Sequence, residues 1–337
     1  MKPSASFWRG RRVLITGHTG FKGAWLALLL TRLGATVSGI ALPPADGPGL
    51  FKILRHRMVI SHHHLDIRDP KLADLVRAER PEIVFHLAAQ ALVPVGFTAP
   101  ETTFSTNLGG SIAVLQALRG QNIAAAVLVT TDKVYRNDGT DRRFREDDPL
   151  GGADPYSASK AAAELAISCY RSSFGHELPP LGAARAGNVI GGGDFSPSRL
   201  LPDIVRALDG AELAIRNPDA TRPWQHVLDV LVGYLLYAEH LAAGNRLDSL
   251  NFGPQDGDGT SVRALIAAFG KTLPWRHTPS PHQEAPTLAL DSSLARKTLS
   301  WQPVMDHISA TAAWYTAWRR GEDMVAFSEN QLEQALA

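Results

Sequence analysis

Arg12-Val13-Leu14-Ile15-Thr16-Gly17-His18-Thr19-Gly20-Phe21-Lys22-Gly23 determines how the rest of the chain is read. The apolar run Val13-Leu14-Ile15 reads as a strand buried on both faces. It breaks at Gly17, and Gly20 and Gly23 follow at regular spacings of three. From Phe21 onward, Trp25, Leu26, Leu28, Leu29, Leu30 and Leu33 continue as a helix with an almost wholly apolar surface. Strand, glycine turn and buried helix form a seat for a dinucleotide pyrophosphate. Gly17 allows the sharp turn, Gly20 lets the backbone approach the phosphates, and Gly23 lets helix and strand pack closely. The helix N-terminus offers unpaired N–H groups to the anion.

Working outward, residues 36–42 read as a second strand. The acid that often ends this strand and binds the adenosine ribose is missing: the chain runs Ala41-Leu42-Pro43-Pro44, and Asp46 lies beyond two prolines. Residues 59–67 form a third strand, whose exit offers Asp66 to the adenine amino group. Asp69 before Pro70 reads as a helix N-cap. A fourth strand begins at Ile83 and exits through Leu87-Ala88-Ala89-Gln90, with small side chains where a cofactor would pass. A helix over 100–118 carries Asn107, and a fifth strand over 124–131 opens into Thr131-Asp132-Lys133. Strands alternating with helices predict an α/β fold with a doubly wound parallel sheet, whose ligands bind outside the carboxyl ends of the strands.

Residues 136–152 are charged and glycine-rich, and read as a surface loop. Asp154-Pro155 then opens a helix carrying Tyr156 and Lys160. Four residues apart, these two lie on one helical face, where an ammonium beside a phenol favours the phenolate. A sixth strand is expected over 181–190, followed by a helix over 200–208, a strand over 213–215, a helix over 229–241 and a strand over 249–252. Beyond residues 261–269 lies a proline-rich stretch, 274–286, and the chain ends in an amphipathic helix with Trp314 and Trp318. The expected division is a dinucleotide-binding domain of residues 1–180, completed by about 227–252, and a smaller lobe of 181–226 and 253–337.

The chain has 337 residues, 20% of them charged, and a formal net charge of +1, which gives no electrostatic bias toward nucleic acid or an anionic membrane. The N-terminus has no secretory apolar region, and the apolar run 24–30 is too short to span a bilayer. A cytoplasmic protein is the expectation. The single cysteine, Cys169, falls on an apolar helical pattern and is expected to fill core space. Consecutive residues His62, His63 and His64 point to alternate faces of a strand and do not converge on one ion, so no metal site is expected.

Five stretches carry a resemblance over nearly the whole chain: Gly17 to Gly23, Thr130 to Tyr135, Tyr156-Ser157-Ala158-Ser159-Lys160, Arg185 to Asp194, and Arg222-Pro223-Trp224-Gln225-His226-Val227. Together they are similar to the extended short-chain dehydrogenases/reductases, the NAD-dependent epimerase/dehydratase superfamily. Asp132 resembles the nucleotide-sugar 4,6-dehydratases within it, and Lys133, in place of the more usual glutamate, the branch acting on CDP-glucose. The resemblance implies a Rossmann fold with a smaller substrate lobe, and C4 oxidation, C5/C6 water elimination and hydride return. Tyr156 would take the 4-hydroxyl proton, Thr131 would hold O4, and Lys160 would hold the cofactor ribose and tune Tyr156. Protonated Asp132 would assist loss of the 6-hydroxyl, while Lys133 would act as, or position, the C5 base.

The same resemblance assigns Gly17, Thr19, Gly20, Phe21, Lys22, Gly23, Asp66, Ile67, Leu87, Ala88, Ala89 and Asn107 to the cofactor, alongside Tyr156 and Lys160. It assigns Gln90, Asn188, Arg199, Arg222 and His226 to the nucleotide sugar. It implies NAD, with NADP left open by Lys22 and the missing acid, and a homodimer or dimer of dimers. Leu92-Val93-Pro94-Val95-Gly96-Phe97 departs from the pattern, which usually has an arginine and a tyrosine there. A nucleotide-sugar 4-epimerase would share the glycine turn and the Tyr/Lys pair but would not need Asp132 and Lys133. A non-catalytic cofactor sensor would be expected to lose Tyr156 or Lys160.

Overall fold

Short apolar runs that alternate with helices bury both faces of a sheet. In the computed structural model, which describes all residues except 59, 141, 255–258, 270–272 and 279–287, seven parallel strands form that sheet. They are β1 (Arg12–Thr16), β2 (Thr36–Ala41), β3 (Ile60–His64), β4 (Ile83–His86), β5 (Ala125–Val129), β6 (Leu181–Ala186) and β7 (Ser249–Phe252). Their order is β7-β6-β5-β4-β1-β2-β3. The chain steps outward from β1 to β3, then returns to build β4 on the other side of β1. Strand direction of travel therefore reverses between β1 and β4, which opens a crevice at their carboxyl ends.

Period-two alternation divides each strand between two cores. Val13, Ile15, Ile83, Phe85, Val127 and Val129 face one layer, which includes helix α1 (Phe21–Arg32). Leu14, Val84, Ala126 and Leu128 face the other, with α2 (Leu72–Glu79), α3 (Gly110–Leu118) and α4 (Pro155–Phe174). The apolar surface of α1 has a reason: Gly23 to Leu30 are all buried, between the sheet and helix α5 (Val227–Ala242). Each fully buried leucine there contributes about 2 kcal/mol.

Several local expectations are corrected. Asp69 does not cap α2, which begins at Leu72 with Lys71 in the cap position; Asp69 instead accepts from the Lys71 N–H at 2.8 Å, making a turn before the helix. The run 181–190 is two strands, because Asn188 takes φ +47° and separates β6 from Val189–Ile190. The stretch 136–152 is not simply a surface loop: Arg143–Phe144 pairs with Ala289–Leu290, and Phe144 is buried. Cys169 is exposed, because it shares the outward face of α4 with Leu165 and Ser172, while Ile167 and Tyr170 turn to the core. The chain ends in a further helix after His307–Arg319, namely Met324–Leu336. Residue 59 of the expected third strand and 279–286 of the proline-rich stretch lie outside the described residues. Among the described residues, no helix is long and apolar enough to cross a membrane.

Burial also sets an acid limit on stability. His18 is pushed down to about 4, and His86 and His226 to about 3, mainly by desolvation. The unfolded chain protonates these groups first, so stability present above 6.5 is lost as pH falls toward those values. Asp229, raised to about 6 by burial, works in the opposite direction between 6 and 3.8. Among the groups with large shifts the three histidines outweigh Asp229, so stability falls as pH drops from 6 toward 4. Urea midpoints should drop steeply below pH 6; midpoints unchanged down to pH 4.5 would contradict this.

Candidate active site

The turn after β1 is built as its glycines require. Gly17 takes φ +80°, and a Cβ there would lie 2.7 Å from the Ala88 nitrogen. A Cβ on Gly23 would lie 2.2 Å from the Gly17 carbonyl oxygen, so the first turn of α1 sits directly against the strand end. Gly20 precedes α1 in extended conformation and lines the cleft, and a Cβ on it would touch only the Gly17 carbonyl oxygen, at 3.4 Å. The free N–H groups of the first turn of α1 border that cleft. This is a cradle that fits a pyrophosphate.

A buried hydrogen-bond chain fixes β1 against β4 at the crevice. Thr16 Oγ1 lies 2.7 Å from His86 Nδ1, His86 Nε2 lies 3.1 Å from Ser111 Oγ, and the Ala88 N–H donates to Thr16 Oγ1 at 3.2 Å. None of these three side chains was singled out in the sequence. A histidine closing an apolar strand was the available signal.

The cleft above the strand ends has a volume of about 1540 Å³. It brings together Gly17, Thr19, Gly20, Phe21, Lys22, Gly23, Asp66, Ile67, Leu87, Ala88, Ala89 and Gln90 with Thr131, Asp132, Lys133, Tyr156, Lys160, Asn188, Arg199 and Arg222. Two candidates do not line it. Asn107 lies behind the wall, in a single π-helical turn, Ser105–Gly109, which interrupts the expected helix over 100–118. It accepts from the Gln90 N–H at 2.9 Å and donates to the Gln90 carbonyl and to Ser159 Oγ, tying the β4 exit to α4. His226 lines a separate cavity with Asp229 and His307, and its Nδ1 accepts from the Leu228 N–H.

Asp154 caps α4, accepting from the Ser157 N–H at 3.0 Å, and so sets the rotation that turns Tyr156 and Lys160 to the cleft. Lys160 Nζ donates to the Val129 carbonyl at 3.1 Å. Burial lowers Lys160 to about 8, partly offset by Glu164 one turn further on. Behind it Glu164 accepts from Thr130 Oγ1 at 2.6 Å and forms a buried ion pair with Arg185, which also donates to Tyr135.

The expectation that Lys160 lowers the Tyr156 pKa is corrected. Burial raises Tyr156, and the groups that oppose the rise are the Thr131 hydroxyl and the Arg199 charge. The Lys160 ammonium is instead engaged by the Val129 carbonyl.

Thr131 Oγ1 donates to Asp132 Oδ1 at 2.9 Å, and Asp132 is 4% exposed. Space for this carboxylate comes from Gly187, where a Cβ would lie 1.9 Å from Asp132 Oδ2. Lys133 follows on a short 3₁₀ turn, Asp132–Val134. Lys22 reaches from α1 into the same electrostatic field. Burial, then the charges of Arg199 and Lys160, lower it to about 7, and Asp132 opposes the shift. The arrangement thus holds a phenol, a carboxylate and lysines of lowered basicity around one space, with a phosphate cradle beside it. It can move protons to and from a bound alcohol.

Asp66 lies at the cleft margin, held by both a side-chain and a backbone donor of Arg68, which keep its carboxyl below the usual range despite partial burial. Arg199 donates to the Ala91 carbonyl at 3.4 Å and approaches Asp194 at 3.8 Å. The atypical segment 92–97 forms a short helix, Val93–Thr98, packed on the start of α4 through Gly96, where a Cβ would lie 3.2 Å from the Tyr156 nitrogen.

Residues 13–253 match the model of the NAD dependent epimerase/dehydratase family. CDP-glucose 4,6-dehydratase of Salmonella typhimurium is 42% identical, covering 98% of each chain. Among solved structures, DesIV (dTDP-glucose 4,6-dehydratase) from Streptomyces venezuelae with NAD and TYD bound superimposes with a TM-score of 0.81 at 25% identity, over 93% of this chain and 99% of that one. UDP-glucose-4-epimerase from Stenotrophomonas maltophila, with bound NAD, gives a TM-score of 0.81 at 25% identity over 92% and 99%.

Proposed function

This chain belongs to the NAD dependent epimerase/dehydratase family, and from that premise we propose that it is a nucleotide-sugar 4,6-dehydratase acting on CDP-glucose. The carrying observation is the Thr131-Asp132-Lys133 turn, which shares one cleft with Tyr156 and Lys160. An epimerase has no use for an acid and a base at that turn. The full-length similarity to a CDP-glucose 4,6-dehydratase supports the same reading.

NAD, when bound, would supply the hydride acceptor for C4 and the hydride donor for C6. The glycine cradle and the N-terminus of α1 would hold its pyrophosphate, Asp66 its adenine and Lys160 its ribose. Tyr156 accepts the proton of the 4-hydroxyl in its ionised form, which Arg199 favours against the effect of burial, while Thr131 orients O4. The C4 ketone acidifies the C5 proton, which Lys133 removes or helps to remove. Asp132 protonates the departing 6-hydroxyl. Arg199, Arg222, Asn188 and Gln90 bind the nucleotide sugar, and His226 acts behind the site through the backbone of α5. Residues 1–180 with 227–252 would carry the cofactor, and 181–226 with 253–337 the nucleotide sugar. Incubation with a panel of nucleoside-diphosphate hexoses tests the reading: CDP-glucose should lose one water, and a C4 epimer of unchanged mass would overturn it.

NAD is expected to bind more tightly than NADP. The family and Asp66 support this, against Lys22 and the absence of an acid after β2. A titration in which NADP binds clearly tighter would refute it.

A homodimer is also expected, through α4 and the helical run that ends in α3. Leu165 on α4 is 61% exposed, and Phe97 and Phe104 are exposed nearby in sequence to that run. A two-fold contact there should bury more than about 1,200 Å². Light scattering should give twice the chain mass at micromolar concentration, and a monomer would count against it.

A further inference from the structure

We propose that Thr131 relays a proton from Tyr156 to Asp132, so that the proton lifted from the sugar 4-hydroxyl leaves with the 6-hydroxyl as water. This rests on the dehydratase reading above and extends it. The observations are a buried line of oxygens. Thr131 Oγ1 donates to Asp132 Oδ1 at 2.9 Å. The same oxygen borders the cleft beside the Tyr156 phenol, close enough to act on its ionisation, and keeps its lone pairs for a phenol proton. Thr131, Asp132 and Tyr156 are 5%, 4% and 8% exposed, which keeps bulk water from intervening freely. Gly187 backs the carboxylate on its other side.

The chemistry leaves one proton in excess at Tyr156 and one short at Asp132. Oxidation at C4 breaks O4–H and puts that proton on the Tyr156 phenolate. The product keeps a ketone at C4, so the proton never returns to O4. Elimination breaks C6–O6 and needs a proton on the departing oxygen. A hydroxyl between phenol and carboxylate connects the two: Tyr156 gives its proton to Thr131 Oγ1 as Thr131 gives its own to Asp132. Asp132 then protonates O6, and water leaves with the O6 hydrogen and the relayed one. Tyr156 ends as phenolate and Asp132 as carboxylate, ready for the next substrate. The C5 proton goes separately to the lysine base and returns to C5, while the nicotinamide cofactor is the oxidant at C4 and the reductant at C6. The proton that Asp132 delivers therefore reaches it only after C4 is oxidised.

The test is the pH dependence of the second step in single turnovers, followed by the decay of reduced-nicotinamide absorbance. In the wild type and in Thr131→Ser, elimination should be nearly independent of pH, because its proton comes from the substrate. In Thr131→Val, Asp132 must take its proton from solvent, and elimination should fall about tenfold per unit rise in pH. Lys22 from α1, Lys160 and Tyr156 from α4, Lys133 from its own turn and Arg199 face this site in every variant, so the difference in slope isolates the relay. A purely orienting Thr131 would lower the rate without changing the slope. Thr131→Ala serves if the valine variant does not fold. A valine or alanine variant with the flat wild-type profile overturns the relay, while its product, still lighter by one water, leaves the dehydratase reading standing. A wild type that releases no water from any nucleotide sugar overturns both.

Discussion

Tyr156→Phe should leave the protein folded, able to bind nucleotide sugar, and unable to begin the reaction. The phenyl ring fills the same buried space at the start of α4, where Gly96 packs on the Tyr156 backbone. The missing oxygen is the one the Thr131 hydroxyl stabilises, and with it goes the acceptor for the 4-hydroxyl proton. Hydride loss from C4 without removal of that proton would leave a protonated ketone. The rate should fall by at least about 10²–10⁴-fold, or roughly 3–5 kcal/mol in the barrier. No reduced cofactor should accumulate after substrate is added. A rapid rise in reduced nicotinamide in this variant would show that another group takes the proton.

Asp132→Asn should stop the same reaction halfway. Asparagine keeps the shape of the side chain, and its Oδ1 still accepts from Thr131, so the geometry against Gly187 is retained. The transferable proton is lost. C4 oxidation needs Tyr156, Lys160 and cofactor, and should proceed, so reduced nicotinamide should build up rather than appear transiently. Elimination should slow by about 10²–10⁴-fold. Together the two variants divide the cycle: one is blocked before any cofactor is reduced, the other after. Release of dehydrated product by Asp132→Asn at near wild-type rate would remove Asp132 from the acid role.

What the sequence made legible is local. The glycine turn declares itself, since Gly17 needs a positive φ and Gly23 meets the Gly17 carbonyl six residues back, although the approach of Ala88 to Gly17 comes from strand order. Tyr156 and Lys160 were legible for the same reason, a helical repeat with a proline and an aspartate at its start. Groups brought together by strand order were not. Thr16, His86 and Ser111 are scattered along the chain and meet only because β1 lies beside β4. Glu164 and Arg185 pair because α4 packs over β6. Lys22 read as part of the phosphate turn, and its approach to Lys160 and Asp132 depends on where α1 lies over the sheet. The Tyr156 expectation failed because spacing on a helix shows which side chains share a face, while burial and the Val129 carbonyl decide where their charge goes. Cys169 lies on the outward face of α4 with the apolar Leu165, so an apolar pattern alone does not show which face of a helix is covered.

The central claim is an oxidation at C4 that is returned as a reduction at C6, with water lost between. CDP-glucose carrying deuterium at C4 tests it directly. The claim predicts a 4-keto product lighter by one water, with the deuterium on its C6 methyl group. Deuterium remaining on C4 of a hexose of unchanged mass would contradict it and leave an epimerase in its place.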